Sequence, residues 1–315
     1  MKIIDTHCDA LYKMQLEKRM NKGLIDYRTS PILDTNLERL QAGNVIVQFF
    51  AIFIKPNIPS DEVWEYALEQ IALFNEEVIG KNREMVHIKN WEQLEQIEPG
   101  KIGAVLTLEG AEAIGNDLNK LHHLYKEGIL SIGLTWNSAN LCADGVGEER
   151  NGGLTALGKQ VVQLNNEHQV FTDVSHLSVN GFWDVMALAK YPFASHSNTV
   201  EFCDHRRNLN NEQIEAMFQN NGLIHVVFYP VFIKAKSEET VISDLIRHID
   251  HLCSLGGVQR VGFGSDFDGI DKVIKNLENS SMFPNLINEL LKRYSEDEVR
   301  GFAYQNFLDN LPNKR

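Results

Sequence analysis

The chain has 315 residues, which suits a single α/β barrel or two domains of about 150 residues each. Its 43 acidic and 30 basic residues give a net charge of −13. This balance argues against nucleic acid or an anionic membrane as a partner, because both require clustered Lys and Arg. The four cysteines are scattered and form no Cys-x-x-Cys pair, which argues against a disulfide framework or a Cys-only zinc site.

We expect no signal peptide at the N-terminus, because Met1-Lys2 runs directly into an apolar segment that predicts a strand. The most apolar stretch, residues 45–54, is about half as long as a membrane span and is interrupted by Gln48. We therefore expect no leader, no membrane segment and a cytoplasmic location with reduced thiols.

Short apolar runs alternate with longer amphipathic stretches along the whole chain. The runs predict eight strands, at 2–5, 45–54, 104–107, 131–135, 170–174, 192–194, 223–228 and 260–264. The stretches predict helices at 62–78, 117–127, 156–168, 179–189, 211–219, 239–255 and 285–294. Helix-start residues at 60–61, Ser178 and Asn211, and the stop at Gly256, support these assignments.

Strands that alternate with helices predict parallel β-α-β units, and eight such units favour a (β/α)8 TIM-type barrel of the α/β class. We expect residues 1–315 to form one such domain. The alternative is an open doubly wound sheet, which normally carries a Gly-rich first strand–helix turn that is absent here. The Gly-rich polar segment 144–153 follows a predicted strand, so we expect it to form a lid or binding loop over the barrel mouth.

The segment Ile3-Ile4-Asp5-Thr6-His7-Cys8-Asp9 carries the first sign of chemistry. Residues two apart in an extended chain project to the same face, so His7 and Asp9 can converge on one point. An imidazole nitrogen and a carboxylate oxygen form a two-ligand bite for a divalent metal such as zinc.

Metal-ligand residue types stand at the ends of five of the eight predicted strands. In a parallel barrel these carboxyl ends lie on one face, where active sites are built. Each residue alone has an ordinary explanation, such as a hydrogen-bonded core histidine or an aspartate in a turn. Together, three histidines and three carboxylates match the inventory of a two-metal site. The set is His7, Asp9, Glu109, His176, His196 and Asp266.

The chemistry of a two-metal site suggests roles for these residues. Two cations about 3.5–4 Å apart need a bridging carboxylate, for which Glu109 is the natural choice. His7 and Asp9 would complete one site, and His176 and His196 the other. A hydroxide between the metals would be the nucleophile, while Asp266 would orient it and carry its proton to a leaving amine. Zinc suits this donor set, as do manganese and cobalt.

The pair Arg206-Arg207 follows the His196 strand by a short loop. A double arginine is often a solvated surface pair. At the mouth of a barrel, a guanidinium can instead clamp a substrate carboxylate with two parallel hydrogen bonds.

With these residues in place, the chain resembles the membrane (renal) dipeptidase family of binuclear zinc peptidases, in particular its bacterial cytosolic members. The resemblance spans nearly the whole chain and rests on an ordered set of motifs. These are IIDTHCDAL (3–11), LTLEG (106–110), DVSHLS (173–178), ASHSN (194–198), HRRNL (205–209) and GFGSDFDGI (262–270).

The resemblance implies a distorted (β/α)8 barrel that cleaves dipeptides, often with a D-residue at the C-terminal position. It implies one zinc ion on His7, Asp9 and Glu109, and a second on Glu109, His176 and His196. Asp266 matches the acid/base aspartate of the family, and Arg207 matches the arginine that binds the C-terminal carboxylate of the dipeptide.

One position departs from the family pattern. The family commonly has Leu-Thr-His after the fourth strand, where the histidine polarises the scissile carbonyl. Here the segment reads Leu134-Thr135-Trp136-Asn137, and an indole offers only one neutral N–H. We therefore expect Trp136 and Asn137 to contact the substrate. Three explanations are open: another group such as Asn137 supplies the donor, turnover is low, or the preferred substrate differs.

Two other functions remain open at this point. One is another binuclear-metal amidohydrolase that acts on a cyclic amide, lactone or phosphoester, although such enzymes usually open with His-x-His. The other is a weakly active binding protein that retains the metals, which only Trp136 supports. A homodimer is also left open by the helical surface.

Overall fold

A computed structural model describes residues 1–314 of the chain. The strands are β1 (Ile3–Asp5), β2 (Val45–Phe53), β3 (Met85–Ile88), β4 (Ile102–Glu109), β5 (Ile129–Gly133), β6 (Phe171–Asp173), β7 (Pro192–Ala194), β8 (Leu223–Val226) and β9 (Val261–Phe263). The α-helices are α1 (Ala10–Arg19), α2 (Leu37–Ala42), α3 (Val63–Leu73), α4 (Leu118–Lys126), α5 (Ala156–Glu167), α6 (Val179–Leu188), α7 (Asn211–Gln219), α8 (Ile242–Ser254), α9 (Phe283–Leu290), α10 (Glu296–Arg300) and α11 (Asn306–Asp309).

The chain divides into two compact units. Unit 1 contains residues 1–10, 26–49 and 194–315, and unit 2 contains residues 11–25 and 50–193. Strands β2 and β7 contribute residues to both units.

Unit 2 is built from parallel strands in the order β3-β4-β5-β6-β7, so each strand pairs with its successor in the chain. Parallel neighbours require a crossover, which helices α4, α5 and α6 provide. The side chains of Thr155 and Ser178 cap α5 and α6 by accepting hydrogen bonds from backbone N–H groups of the first turn. Phe171 anchors part of the core, with its ring 5.2 Å from Trp91 and 4.9 Å from Phe193.

Unit 1 contains parallel strands in the order β2-β1-β9-β8. Its core includes a group of phenylalanine rings around Phe283, which contacts Phe228, Phe263 and Phe267 at 5.8–6.2 Å. His225 lies fully inside, with Nδ1 2.8 Å from the hydroxyl of Thr6. Burial lowers the pKa of His225 to about 3, so this imidazole is a neutral core group.

All eight predicted strands are present, with small shifts at their ends. The prediction missed β3, a four-residue strand in which only Met85 and Ile88 are buried, so it shows no long apolar run. It also missed helices α1, α2, α10 and α11. The predicted helix at 62–78 is an α-helix only to Leu73 and continues as a π-helix over Phe74–Gly80.

Several predicted helix boundaries were wrong. Helix α3 is preceded by Glu62, which makes no capping hydrogen bond through its side chain, so residues 60–61 are not the cap. Helix α7 is capped by Asn210 rather than Asn211. The helix predicted at 285–294 begins at Phe283 and ends at Leu290. Across residues 1–314, helices long and apolar enough to cross a membrane are absent.

Candidate metal centre

The His-x-Asp pair lies in unit 1, directly after β1. His7 and Asp9 are almost fully buried, and His7 Nε2 lies 3.5 Å from Asp9 Oδ2. Their backbone is tied to the turn after β9: the Asp9 N–H donates to the Phe267 carbonyl, and the Asp266 N–H donates to the His7 carbonyl. The two turns therefore hold the pair and Asp266 in one place, as the sequence pattern predicts.

Asp266 completes this cluster from the end of β9. Its Oδ1 lies 3.8 Å from His7 Nε2. The residue has a positive φ of 66°, which is uncommon for a non-glycine residue. Gly269 allows the carboxylates to approach, because a Cβ at that position would overlap Asp9 Oδ2. Burial raises the pKa of Asp266 to about 7, an effect to which the charge of Asp9 adds and which the attraction of His7 opposes.

The cluster in unit 1 fits a divalent cation. Ligand atoms of His7, Asp9 and Asp266 all lie within 4.8 Å of one another. Within residues 1–314, Asp9 Oδ1 is buried and has no hydrogen-bond partner. A buried carboxylate oxygen is costly unless it is paired or bound to a metal. The donor set of imidazole nitrogen and carboxylate oxygens suits zinc and related divalent ions.

His196 and Arg207 also lie in unit 1. The ring of His196 is 3.9 Å from the ring of His7, and its Nδ1 is 2.7 Å from Ser195 Oγ. Arg207 is 5% exposed, whereas Arg206 is exposed to solvent. The Arg207 Nη2 donates to the His196 carbonyl at 3.1 Å, which ties the guanidinium to the histidine strand.

Unit 2 carries a second cluster at the ends of β4, β5 and β6. Glu109 ends β4, and its Oε1 lies 3.0 Å from His176 Nε2. The parallel register pairs Glu109 with Gly133 and Gly133 with Asp173, which places the three strand ends side by side. His176 Nδ1 lies 2.8 Å from Asn137 Oδ1. An imidazole and a carboxylate thus face each other, with an amide behind the imidazole.

Trp136 is an aromatic wall of this second cluster. Its ring lies 5.3 Å from Phe53 and 5.9 Å from His176, inclined to the histidine by 33°. The residue is partly buried. These contacts indicate that Trp136 packs against His176, a predicted metal ligand. The sequence had predicted only a contact between Trp136 and the substrate.

Sequence reasoning missed Tyr229 and Phe232 in unit 1. The guanidinium of Arg207 lies over the Phe232 ring at 5.4 Å, and the Tyr229 ring is 4.9 Å from Phe232. Burial raises the pKa of Tyr229 to about 12, helped by the charges of Asp271 and Asp266. The signal was present, because Tyr229 directly follows the predicted strand at 223–228, as the other site residues follow theirs.

The predicted site residues therefore fall into two groups. Unit 1 holds His7, Asp9, His196, Arg207 and Asp266, and unit 2 holds Glu109, Trp136, Asn137 and His176.

A sequence profile described as membrane dipeptidase (peptidase family M19) matches residues 1–312. The chain belongs to this family. This dipeptidase is 30% identical to an uncharacterized dipeptidase of Schizosaccharomyces pombe, over 98% of this chain and 79% of the relative.

Two solved structures of similar proteins share the fold of this dipeptidase. A metallo peptidase from Rhodobacter sphaeroides, liganded with a phosphinate mimic of the dipeptide L-Ala-D-Ala, matches with a TM-score of 0.91 at 24% identity, over 99% of both chains. A probable dipeptidase from Pseudomonas aeruginosa matches with a TM-score of 0.84 at 20% identity, over 97% of this chain and 100% of the other. The predicted (β/α)8 TIM-type barrel is confirmed.

Family membership also confirms the predicted class of activity. The protein is a metal-dependent hydrolase, a dipeptidase whose substrate is a small peptide.

Proposed function

We propose that this dipeptidase uses two zinc ions to hydrolyse dipeptides, including those with a D-residue at the C-terminal position. The ligands are His7, Asp9 and Glu109 for one ion, and Glu109, His176 and His196 for the other. When bound, the ions would activate a water molecule as the nucleophile and polarise the scissile carbonyl. The observation that carries the proposal is the cluster of His7, Asp9 and Asp266, in which the buried Asp9 Oδ1 lacks a hydrogen-bond partner within residues 1–314.

Asp266 moves the proton in this proposal. Hydrolysis forms a C–O bond and breaks the C–N bond, so one proton must pass from the attacking water to the leaving amine. A carboxylate oxygen of Asp266 accepts that proton and donates it to the amine nitrogen. Its Oδ1 lies 3.8 Å from Nε2 of the proposed ligand His7, which places the carboxylate beside the proposed metal position.

Arg207 selects the length of the substrate. The guanidinium is buried, held by the His196 carbonyl and packed over Phe232, so its charge has a fixed position. A dipeptide presents a free carboxylate one residue beyond the scissile bond, and Arg207 pairs with it. A tripeptide presents a neutral amide at that point, which cannot form the charge-assisted hydrogen bonds that a carboxylate forms with Arg207.

The preference for a C-terminal D-residue is supported by the relative from Rhodobacter sphaeroides, which is liganded with a mimic of L-Ala-D-Ala. The two chains share a fold over nearly their whole length. The same stereochemistry is therefore proposed for this chain.

A hydrolysis panel tests the proposal. Zinc-loaded protein should cleave L-Xaa-L-Xaa and L-Xaa-D-Xaa dipeptides, act poorly on tripeptides, and lose activity when a chelator removes the metal. A sample that cleaves no dipeptide but cleaves cyclic amides, lactones or phosphoesters would contradict it and support another binuclear hydrolase.

A further inference from the structure

Asn137 contacts the edge of the His176 ring that carries Nδ1, away from the nitrogen that we predict binds the metal. Asn137 Oδ1 lies 2.8 Å from His176 Nδ1, while His176 Nε2 lies 3.0 Å from Glu109 Oε1. A neutral imidazole that binds a cation through one nitrogen carries its proton on the other. The Nδ1–H of His176 therefore donates to Asn137 Oδ1, and this hydrogen bond leaves Nε2 with the lone pair that a metal needs.

A short glycine-containing strap, residues 145–147, holds both partners by their backbones. The Gly147 N–H donates to the Asn137 carbonyl at 2.7 Å, and the Val146 N–H donates to the His176 carbonyl at 2.7 Å. A Cβ on residue 147 would lie 2.6 Å from the Asn137 carbonyl oxygen, and a Cβ on Gly145 would meet the same residue. The glycines therefore allow the strap to bind Asn137 closely. This part of the predicted lid loop supports the second cluster.

The backbone of His176 is held in an unusual conformation. Its φ is 67°, a left-handed value that is uncommon for a residue with a Cβ. Its carbonyl accepts hydrogen bonds from the Val146 N–H and from Thr135 Oγ1, the latter at 3.2 Å. Such conformations persist where the surrounding structure over-determines them. The backbone of His176 is thus fixed, and the remaining freedom is rotation of the ring.

Two side chains restrict that rotation. Trp136 packs beside the ring at 5.9 Å, and Asn137 fixes its edge through Nδ1. Ring packing sets the plane of the imidazole but does not choose between its two tautomers. The partners of the two nitrogens do: Glu109 Oε1 attracts a proton to Nε2, whereas Asn137 Oδ1 holds it on Nδ1 and frees Nε2 for a cation.

We propose that Asn137 is a positioning residue, which fixes the tautomer and the ring orientation of His176 for metal binding. The proposal rests on the proposed function of His176 as a metal ligand. It is separate from the predicted contact of Asn137 with the substrate, which would use the amide N–H. Loss of such an outer hydrogen bond typically weakens metal affinity by about 10–100-fold.

The test compares zinc affinity in three variants, measured by competition with a chromophoric chelator. Asn137→Leu removes the acceptor at similar volume and should weaken one zinc site by about 10–100-fold. Asn137→Asp keeps an acceptor oxygen and should bind zinc within a few-fold of the native protein. Asn165→Leu is the matched control, because Asn165 is a buried amide of unit 2 that bonds Tyr125 and Thr172. It should lower the melting temperature and leave zinc affinity unchanged.

A second measurement reads the tautomer without any metal. In metal-free Glu109→Ala protein, which lacks the carboxylate beside Nε2, ¹⁵N chemical shifts of His176 should show the proton on Nδ1. Adding Asn137→Leu should shift the population towards the other tautomer. The proposal is overturned if Asn137→Leu binds zinc as tightly as the native protein, or if Asn137→Asp is as weak as Asn137→Leu. If the metal-free variant shows the Nδ1–H tautomer but native protein binds no zinc, the proposed function is contradicted and the hydrogen bond itself stands.

Discussion

The two clusters of predicted site residues are built on different principles. In unit 1, two carboxylates, the buried Asp9 and the partly exposed Asp266, lie close to the imidazole of His7. In unit 2, one carboxylate faces His176, and a neutral amide and a glycine strap support the imidazole from behind. The first cluster relies on a bound cation to offset its negative charge, whereas hydrogen bonds pre-organise the second. We therefore assign metal binding to both clusters, proton transfer to Asp266 of the first, and a pre-organised metal ligand, His176, to the second.

The largest expected effect comes from Asp266→Asn. An amide cannot shuttle the proton, so kcat on a dipeptide should fall by about 10²–10⁴-fold, the usual contribution of a general acid or base. Zinc content should stay close to that of the native protein, because the proposed ligands His7, Asp9 and Glu109 remain and the asparagine keeps an oxygen donor at this position. Steady-state kinetics together with metal analysis measure both quantities. Equal rates in the two proteins would remove proton transfer from this cluster.

A smaller effect is expected at the substrate-binding end of unit 1. Arg207→Met should lower kcat/KM on dipeptides. The loss should correspond to about 1.5–3 kcal/mol of activation free energy, the usual size of a hydrogen bond to a charged group. The loss should appear mainly in KM, because the contact is made before and during the reaction alike.

The neighbouring arginine supplies the matched control for this prediction. Arg206 is exposed while Arg207 is buried, so Arg206→Met should leave kcat/KM nearly unchanged. Similar losses in both variants would mean that general positive charge in the loop, rather than one fixed guanidinium, attracts the substrate.

The zinc affinities of the Asn137 variants test the second cluster. If the second cluster is a rigid metal holder, Asn137→Leu should lower metal affinity, whereas Asp266→Asn should lower turnover. Metal affinity then reports on Asn137 in the second cluster, and turnover reports on Asp266 in the first.

Much of the site could be predicted because strand ends are a local signal. His7, Asp9, Glu109, His176 and Asp266 each follow a short apolar run that forms a strand. The support for these residues is not local. Asn137 and His176 are 39 residues apart, and Gly269 leaves space for the carboxylate of Asp9 near the N-terminus. No periodicity links such pairs, because their contact depends on how the strands are arranged in three dimensions.

The fold class was predictable for a similar reason, since alternating strands and helices specify parallel pairing. Strand β3 was missed because its two central residues are half-exposed and its apolar signal is short. The single-domain organisation, the homodimer and the cytoplasmic location stay predictions.

The proposed site requires that residues of both clusters bind zinc. The number of zinc ions bound per chain measures this. Metal analysis after gel filtration should give two zinc ions for the native protein. Asp9→Ala, in the first cluster, and His176→Ala, in the second, should each bind less. A native protein that binds no zinc, or full zinc content in both variants, would contradict the account.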